Sequence, residues 1–329
     1  MFDWGIAMSF HKPSSPQIFG VVNKKITQYR TRSNLSTLVS SVLVQTNPGG
    51  DSPEPNKIFH SNIAPSRCKN PNHLLSQPNT IGIIGGVSTF STLIFLEKLV
   101  RWSSKSGECP PFVVCSDPAS YLELPRLGSY HSSDSKIVEI QSNMNRLVVE
   151  NLQRKRAFLE KSGAGCVVMP CHLSHVWYRE ISEGCSLPFL HVGECVAREL
   201  REAELKPVEI GCNVRIGVLA NNPTLMAGFY QDKLQEQGFE VVLPDRATME
   251  HIVNPAIQAV NIRDFKGARN LLKIAVQVLL VSGVNTVILA SNEMQGLLPH
   301  NDPLLKKCID PMDALARSTI KWAKSLEND

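Results

Sequence analysis

The stretch VVMPCHLSH, residues 167 to 175, sets a thiol and two imidazoles directly behind a hydrophobic run. Cys171, His172 and His175 admit four readings. Sulfur and imidazole nitrogen are zinc ligands, but a zinc site needs a further partner and CHxxH is not a standard ligand spacing. A cysteine hydrolase would use Cys171 as nucleophile, His172 or His175 as base, and a nearby oxyanion hole; no further hydrolase motif accompanies them. An unmetallated thiol can also carry a proton, since its ordinary pKa of about 8.5 lies within reach of neutral pH. The plainest reading is the end of a core strand. The remaining cysteines, Cys68, Cys109, Cys115, Cys166, Cys185, Cys195, Cys212 and Cys308, read as small core or surface residues.

The elements that must position these groups are legible from Thr80 onward, where short apolar runs alternate with longer amphipathic ones, the signature of βα units and a parallel sheet. TIGIIGG, PFVVCSD, GCVVMPC, LPFLHV, RIGVLA, FEVVLPD and NTVILAS read as strands. The run from Asp134 places Ile137, Ile140, Met144, Leu147 and Val148 on one helical face and stops at Gly163. NIRDFKGARNLLKIAVQVLLVSG reads as a second helix that feeds a strand.

The chain also resembles itself. IGIIGGVSTFSTLIFLEKL from Ile81 aligns without gaps on IGVLANNPTLMAGFYQDKL from Ile216, so that Ile81, Gly82, Thr89, Lys98 and Leu99 recur as Ile216, Gly217, Thr224, Lys233 and Leu234. SGAGCVVMPC, ending at Cys171, aligns on SGVNTVILAS, ending at Ser291. The expected fold class is therefore α/β, with two pseudo-symmetric lobes, each a parallel sheet flanked by helices, and a cleft between them. The lobes are expected at residues 79–205 and 206–312, with a C-terminal helix over 313–329 packing back on the first. Ligands of open α/β sheets bind beyond the carboxyl ends of the strands. On that geometry Cys171 and Ser291 face one another across one site.

Composition narrows the function classes. A net charge of +4 is mild for 329 residues, which argues against a nucleic-acid surface. Nine cysteines without a CxxC pair argue against a disulfide framework or zinc ribbon and for a reducing compartment. The longest apolar stretch, from Ala275, is broken by Ser282, Gly283 and Asn285, too early for a membrane span. Neither GxGxxG nor GxxxxGK[ST] occurs, so no nucleotide is implied, nor any metal or pyridoxal phosphate. Residues 1–78 are rich in Ser, Pro, Asn and basic residues, with Asp3, Asp51 and Glu54 as their acids. They read as a transit peptide or disordered tail outside the fold, for the chloroplast before the mitochondrion, with Met1 or Met8 as the start; without an address the protein would be cytoplasmic.

Taken together, the motifs resemble those of the cofactor-independent aspartate/glutamate racemases. IGIIGG resembles that family's first strand and turn, MPCHLSH stands at its CNTxH motif, LANNPT at its LATxxT loop and ASNE at its GCTE motif. The resemblance covers roughly residues 80 to 327. It implies two proton carriers on opposite faces of an amino-acid α-carbon, a small-molecule amino-acid substrate, no cofactor and a homodimer. Cys171 keeps the first thiol, while Ser291 stands at the second and Asn292 at the threonine after it. By the same resemblance Thr224 and the turn at Gly85 and Gly86 would hold the α-carboxylate, with Asn221 as a substitute donor. Arg126 would grip a side-chain carboxylate. His172 replaces the family asparagine, Glu293 keeps the acid of the second motif, and His175 would orient the thiol or cap the next helix. The departures leave, as alternatives to a racemase, a catalytically impaired homologue acting as a ligand-binding or regulatory protein, or a one-base enzyme using Cys171 alone.

Overall fold

Two-residue alternation along the strands sets the layering. The computed structural model describes residues 41–44, 77–117, 135–208 and 213–326. In chain order the first half contains β1 (Ser41–Val44), β2 (Ile81–Ile84), α1 (Thr89–Ser106), β3 (Phe112–Ser116), α2 (Ser135–Lys161), β4 (Cys166–Val168), a 3₁₀ turn (Leu173–Trp177), α3 (Tyr178–Ser182), β5 (Phe189–Leu190) and α4 (Val192–Glu202). The second half contains β6 (Arg215–Leu219), α5 (Asn222–Met226), α6 (Phe229–Gln235), β7 (Glu240–Val242), α7 (Arg246–Thr248), a π turn (Met249–Val253), α8 (Asn254–Asn261), α9 (Phe265–Val281), β8 (Thr286–Leu289), a 3₁₀ turn (Asn292–Met294), β9 (Cys308–Ile309) and α10 (Pro311–Ser325).

The first sheet has the order β1-β3-β2-β4-β5 and the second β7-β6-β8-β9. Apart from β1, all pairings are parallel. The registers coincide as well: Ile81 pairs with Cys166 and Phe112 as Ile216 pairs with Thr286 and Val241. The internal repeat is thus a repeat of topology. Ile81, Ile83, Cys166 and Val168 turn toward a central core that also takes Ile216, Val218, Ile288 and Ala290 from the other sheet. Ile84, Val113, Val167 and Met169 turn outward against α2, and Leu219, Val287 and Leu289 outward against α9. Gly82 and Gly217 recur because the outer helices come close: a Cβ at Gly82 would lie 3.2 Å from Leu159 Cβ, and one at Gly217 3.0 Å from Leu279 Cδ1.

The last helix of each half crosses to the other half. After β5, α4 packs on α6; after β9, α10 packs on α1; α4 and α10 also pack on each other. The repeated lysines secure this exchange. Lys98 of α1 pairs with Asp310 and Asp313 at the start of α10, at 2.7 and 3.0 Å, and Lys233 of α6 pairs with Glu194 in the first turn of α4 at 3.0 Å.

Three details depart from the sequence reading. Ser41–Val44, inside the segment assigned to a tail, pairs antiparallel with the outer edge of β3; a β-branched SVLV run supplies a strand that composition averaged over 78 residues conceals. β9 escaped notice because two residues carry no period. On α2, Leu147 is exposed, and the buried face runs through Val148, Leu152, Lys155 and Leu159.

The two clamps differ in burial, which predicts unequal effects. Lys98 and Asp310 side chains are 13 % and 19 % exposed, and burial holds the Asp310 carboxyl above its ordinary range despite Lys98. Lys98→Met strands two acids in the interior and should cost about 2–4 kcal/mol. Lys233→Met frees Glu194 and Glu236, already 43 % and 57 % exposed, and should cost about 0.5 kcal/mol. Urea unfolding of both variants measures the difference; equal losses would mean that water screens the Lys98 cluster as well.

Candidate active site

Because β2 and β4 are adjacent and parallel, the turn after one meets the loop after the other. Cys171, 1 % exposed, lies just past β4. The Ser88 N–H, at the N-cap of α1, donates to Cys171 Sγ at 3.4 Å, so the positive end of an eighteen-residue helix points at the sulfur. Val87 N donates to Ser174 Oγ at 3.1 Å. Gly86 fits between: a Cβ there would lie 2.3 Å from Cys171 Cβ and 2.4 Å from Ser174 Oγ. The Gly85 N–H, expected to help hold a carboxylate, donates instead to the Cys115 carbonyl at 2.8 Å, because the sheet ladder runs one residue further than β2 itself.

The second half delivers its groups to the same helix end. Ser291, 1 % exposed, follows β8 as Cys171 follows β4. Its hydroxyl donates to Glu293 Oε2. Asn292 Nδ2 donates to Ser91 Oγ at 2.6 Å and lies 3.5 Å from Ser88 Oγ. The first turn of α1 therefore touches Cys171 from one half and Asn292 from the other. Asn221 is committed as the N-cap of α5, its Oδ1 accepting from Thr224 N at 3.0 Å; that carbonyl oxygen is a capping acceptor. α5 packs against the 3₁₀ turn that follows Cys171.

The buried polar atoms without a partner include His172 Nε2, Thr224 Oγ1 and Asn292 Oδ1. Each costs about 1–3 kcal/mol while unpaired, and all three belong to residues that the sequence assigns to substrate contact. Tyr230 Oη is 2.9 Å from His172 Nδ1, and burial first, then Asp310 and Cys195, pushes its phenol well above the ordinary range. Tyr230 is thus a protonated phenol and His172 a neutral imidazole, and Nε2, the ring nitrogen away from Tyr230, is the one left for a further partner.

His175 neither caps a helix nor bonds the thiol. Its Nε2 lies 2.8 Å from the Met169 carbonyl, which closes the loop carrying Cys171, and its ring packs among Tyr178, His191 and Phe229. His191 N-caps α4, Nδ1 accepting from Gly193 N at 3.0 Å. Arg126 lies outside the described residues. The sequence reading missed Lys155, whose Nζ donates to the Gly85 carbonyl at 2.9 Å; the signal for it was its spacing from Val148, Leu152 and Leu159 on the buried face of α2. It missed Ser88, Ser91 and Tyr230 as well, for which spacing carries no signal. Among the described residues no group of three or more His, Cys, Asp or Glu side chains could hold a metal ion, and no helix is long and apolar enough to cross a membrane.

The histidines predict acid sensitivity. Burial, then the neighbouring His175, pushes His172 down to about 3; burial and then Lys233 push His191 down to about 4; burial, then His191, holds His175 well below its ordinary range. The unfolded chain takes up protons below about pH 6.5 that the folded chain refuses. Stability is therefore complete above that pH and falls as pH drops toward 4, by up to ~1.4 kcal/mol per pH unit for each histidine. Urea unfolding free energies at pH 7.5, 6.5 and 5.5 should show a loss of about 3 kcal/mol between the last two; a flat profile would mean that these rings protonate in place.

Comparison with known proteins bears on the same region. Residues 84–319 match the family described as Asp/Glu/Hydantoin racemase. The chain is 24 % identical over 246 residues to the broad specificity amino-acid racemase RacX of Bacillus subtilis (strain 168), covering 73 % of this chain and 96 % of that one. Picrophilus torridus aspartate racemase superposes with a TM-score of 0.55 at 25 % identity, covering 74 % of this chain and 94 % of that one. An aspartate racemase homologue from Pyrococcus horikoshii OT3 superposes with a TM-score of 0.58 at 19 % identity, covering 75 % and 99 %, and so shares the fold. With the family pattern spanning both sheets and the strand ends that carry Cys171 and Ser291, the chain belongs to the Asp/Glu/hydantoin racemase family.

Proposed function

We propose that this protein moves the α-proton of a small amino acid, with Cys171 as the acid/base on one face and Ser291 on the other, and thus acts as an amino-acid racemase with unequal proton carriers. The observation that carries this reading is the first turn of α1, which bonds Cys171 through Ser88 N and Asn292 through Ser91. A carbon bound at that turn would have the strand end of each half beside it. The three unpaired polar atoms, His172 Nε2, Thr224 Oγ1 and Asn292 Oδ1, are suited to an amino acid's carboxylate and ammonium groups. The substrate class follows relatives named as amino-acid and aspartate racemases.

The two carriers are not equivalent chemically. A thiol can take and return a proton near neutral pH. An aliphatic hydroxyl is a far weaker acid and, when neutral, a poor base. Ser291 has one asset, the Glu293 carboxylate that accepts its hydrogen bond and polarises the hydroxyl. A carbanion formed by Cys171 is therefore reprotonated mostly from the Cys171 face, with retention, and crosses to the other face at a rate Ser291 limits.

In heavy water, proton NMR and chiral chromatography on L- and D-aspartate and L- and D-glutamate should show deuterium entering the α-position of one enantiomer of the substrate faster than the other enantiomer accumulates. Cys171→Ala should lower exchange by at least ~10²-fold. Ser291→Cys should raise racemisation about 10- to 100-fold while changing exchange on the first face little. Exchange that survives Cys171→Ala would remove the thiol from the mechanism. A protein that binds these amino acids without any exchange would favour the ligand-binding alternative.

A further inference from the structure

Lys155 is 4 % exposed on the inner face of α2, a position that an apolar side chain would fill without the cost of dehydrating a charge. Its Nζ does not reach water as a snorkelling lysine would; it donates to the carbonyl of Gly85. That residue opens the turn whose next member, Gly86, lies against Cys171. Among the described residues, the titratable groups that act on Lys155 include Cys115 and Asp117, on β3 and just beyond it, and Cys171 beyond β4. α3, packed on the same helix, meets it through the backbone carbonyl of Glu180, at Gln153. Burial, opposed by Cys115, Asp117 and Cys171, brings the lysine down to about 8, within the range where a thiol titrates.

We propose that Lys155 is a positioning residue for Cys171: its hydrogen bond to the Gly85 carbonyl fixes the Gly85–Gly86 turn against the thiol, and its buried charge favours the thiolate. Coupling is reciprocal: if a negative Cys171 favours the charged lysine, the charged lysine favours a negative Cys171 equally. Lys155 touches no reacting atom; it acts through the turn and the sulfur.

The inference rests on Cys171 as the reactive group, but its test reads the sulfur directly. Iodoacetamide alkylation of the full chain, resolved by residue with mass spectrometry across roughly pH 6 to 10, should show the Cys171 midpoint rising by about one pH unit in Lys155→Met, roughly ten-fold slower alkylation at neutral pH. Cys109 serves as internal control and should not move, and Lys155→Arg, whose charge is permanent, should not raise the Cys171 midpoint. A folded Lys155→Met protein that alkylates Cys171 as wild type does would overturn the proposal. Should Lys155→Met fail to fold, or Cys171 resist the reagent, nitrogen-15 NMR of labelled lysines decides: in Cys171→Ala, Lys155 should lose its proton at lower pH than in wild type, and an unchanged titration overturns the coupling. Coupling without proton exchange at an amino acid would overturn the racemase reading alone.

Discussion

The structure depends on the exchange of α4 and α10 between the halves. Each sheet has an outer face covered by its own helices, α2 on one and α9 on the other. The inner faces are covered jointly, since the central core draws on β2, β4, β6 and β8 together with α1, α4, α6 and α10. Neither half could complete that core from its own residues. Apolar burial is roughly proportional to area, so the shared core also fixes how the ends of β4 and β8 stand to each other. The lysine pairs at the helix starts supply direction that apolar packing lacks: Lys98 and Lys233 select which helix end lies on which lobe.

Pseudo-symmetry makes the departures from it informative. Where the frame is concerned, the halves agree: strand order, register, the glycines against the outer helices and the clamping lysines all recur. Where chemistry is concerned, they diverge. Cys171 has Ser291 as its counterpart at the equivalent strand end, and the N-cap of the exchanged helix is neutral His191 in one half and Asp310 in the other. The turn after the first strand is Gly85–Gly86 in one half, pressed on a thiol, and Ala220–Asn221 in the other, where the asparagine caps a short helix.

Most of the frame was legible because it is periodic. The strands betrayed themselves by β-branched runs, the outer helices by their stripe, and the halves by their alignment. What stayed hidden lacks a period or breaks a compositional rule. β9 is too short, β1 sits in a polar tail, and the crossing of α4 onto α6, unlike that of the C-terminal helix, depends on tertiary packing that no local pattern records. In the site, Cys171 and Ser291 stood out because they end equivalent strands. Lys155 did not, because a lysine within QRKRAFLEK reads as part of a solvated face until its spacing to Leu152 and Leu159 is counted. Gly85 misled through resemblance rather than pattern: the family's first turn implies a carboxylate contact, but hydrogen-bond accounting gives the Gly85 N–H to the sheet.

The cost of this site is distributed rather than local. Three histidines held neutral, a lysine held under a turn and several polar atoms without partners all oppose folding of the empty protein. A structural core would replace them with apolar side chains of similar volume at little loss. Many of them are gathered around one helix end and two strand ends, where His172 Nε2, Thr224 Oγ1 and Asn292 Oδ1 are left without partners. Occupancy by an amino acid that pairs His172 Nε2, Thr224 Oγ1 and Asn292 Oδ1 would return part of that cost as binding energy, and most of it where the α-carbon sits.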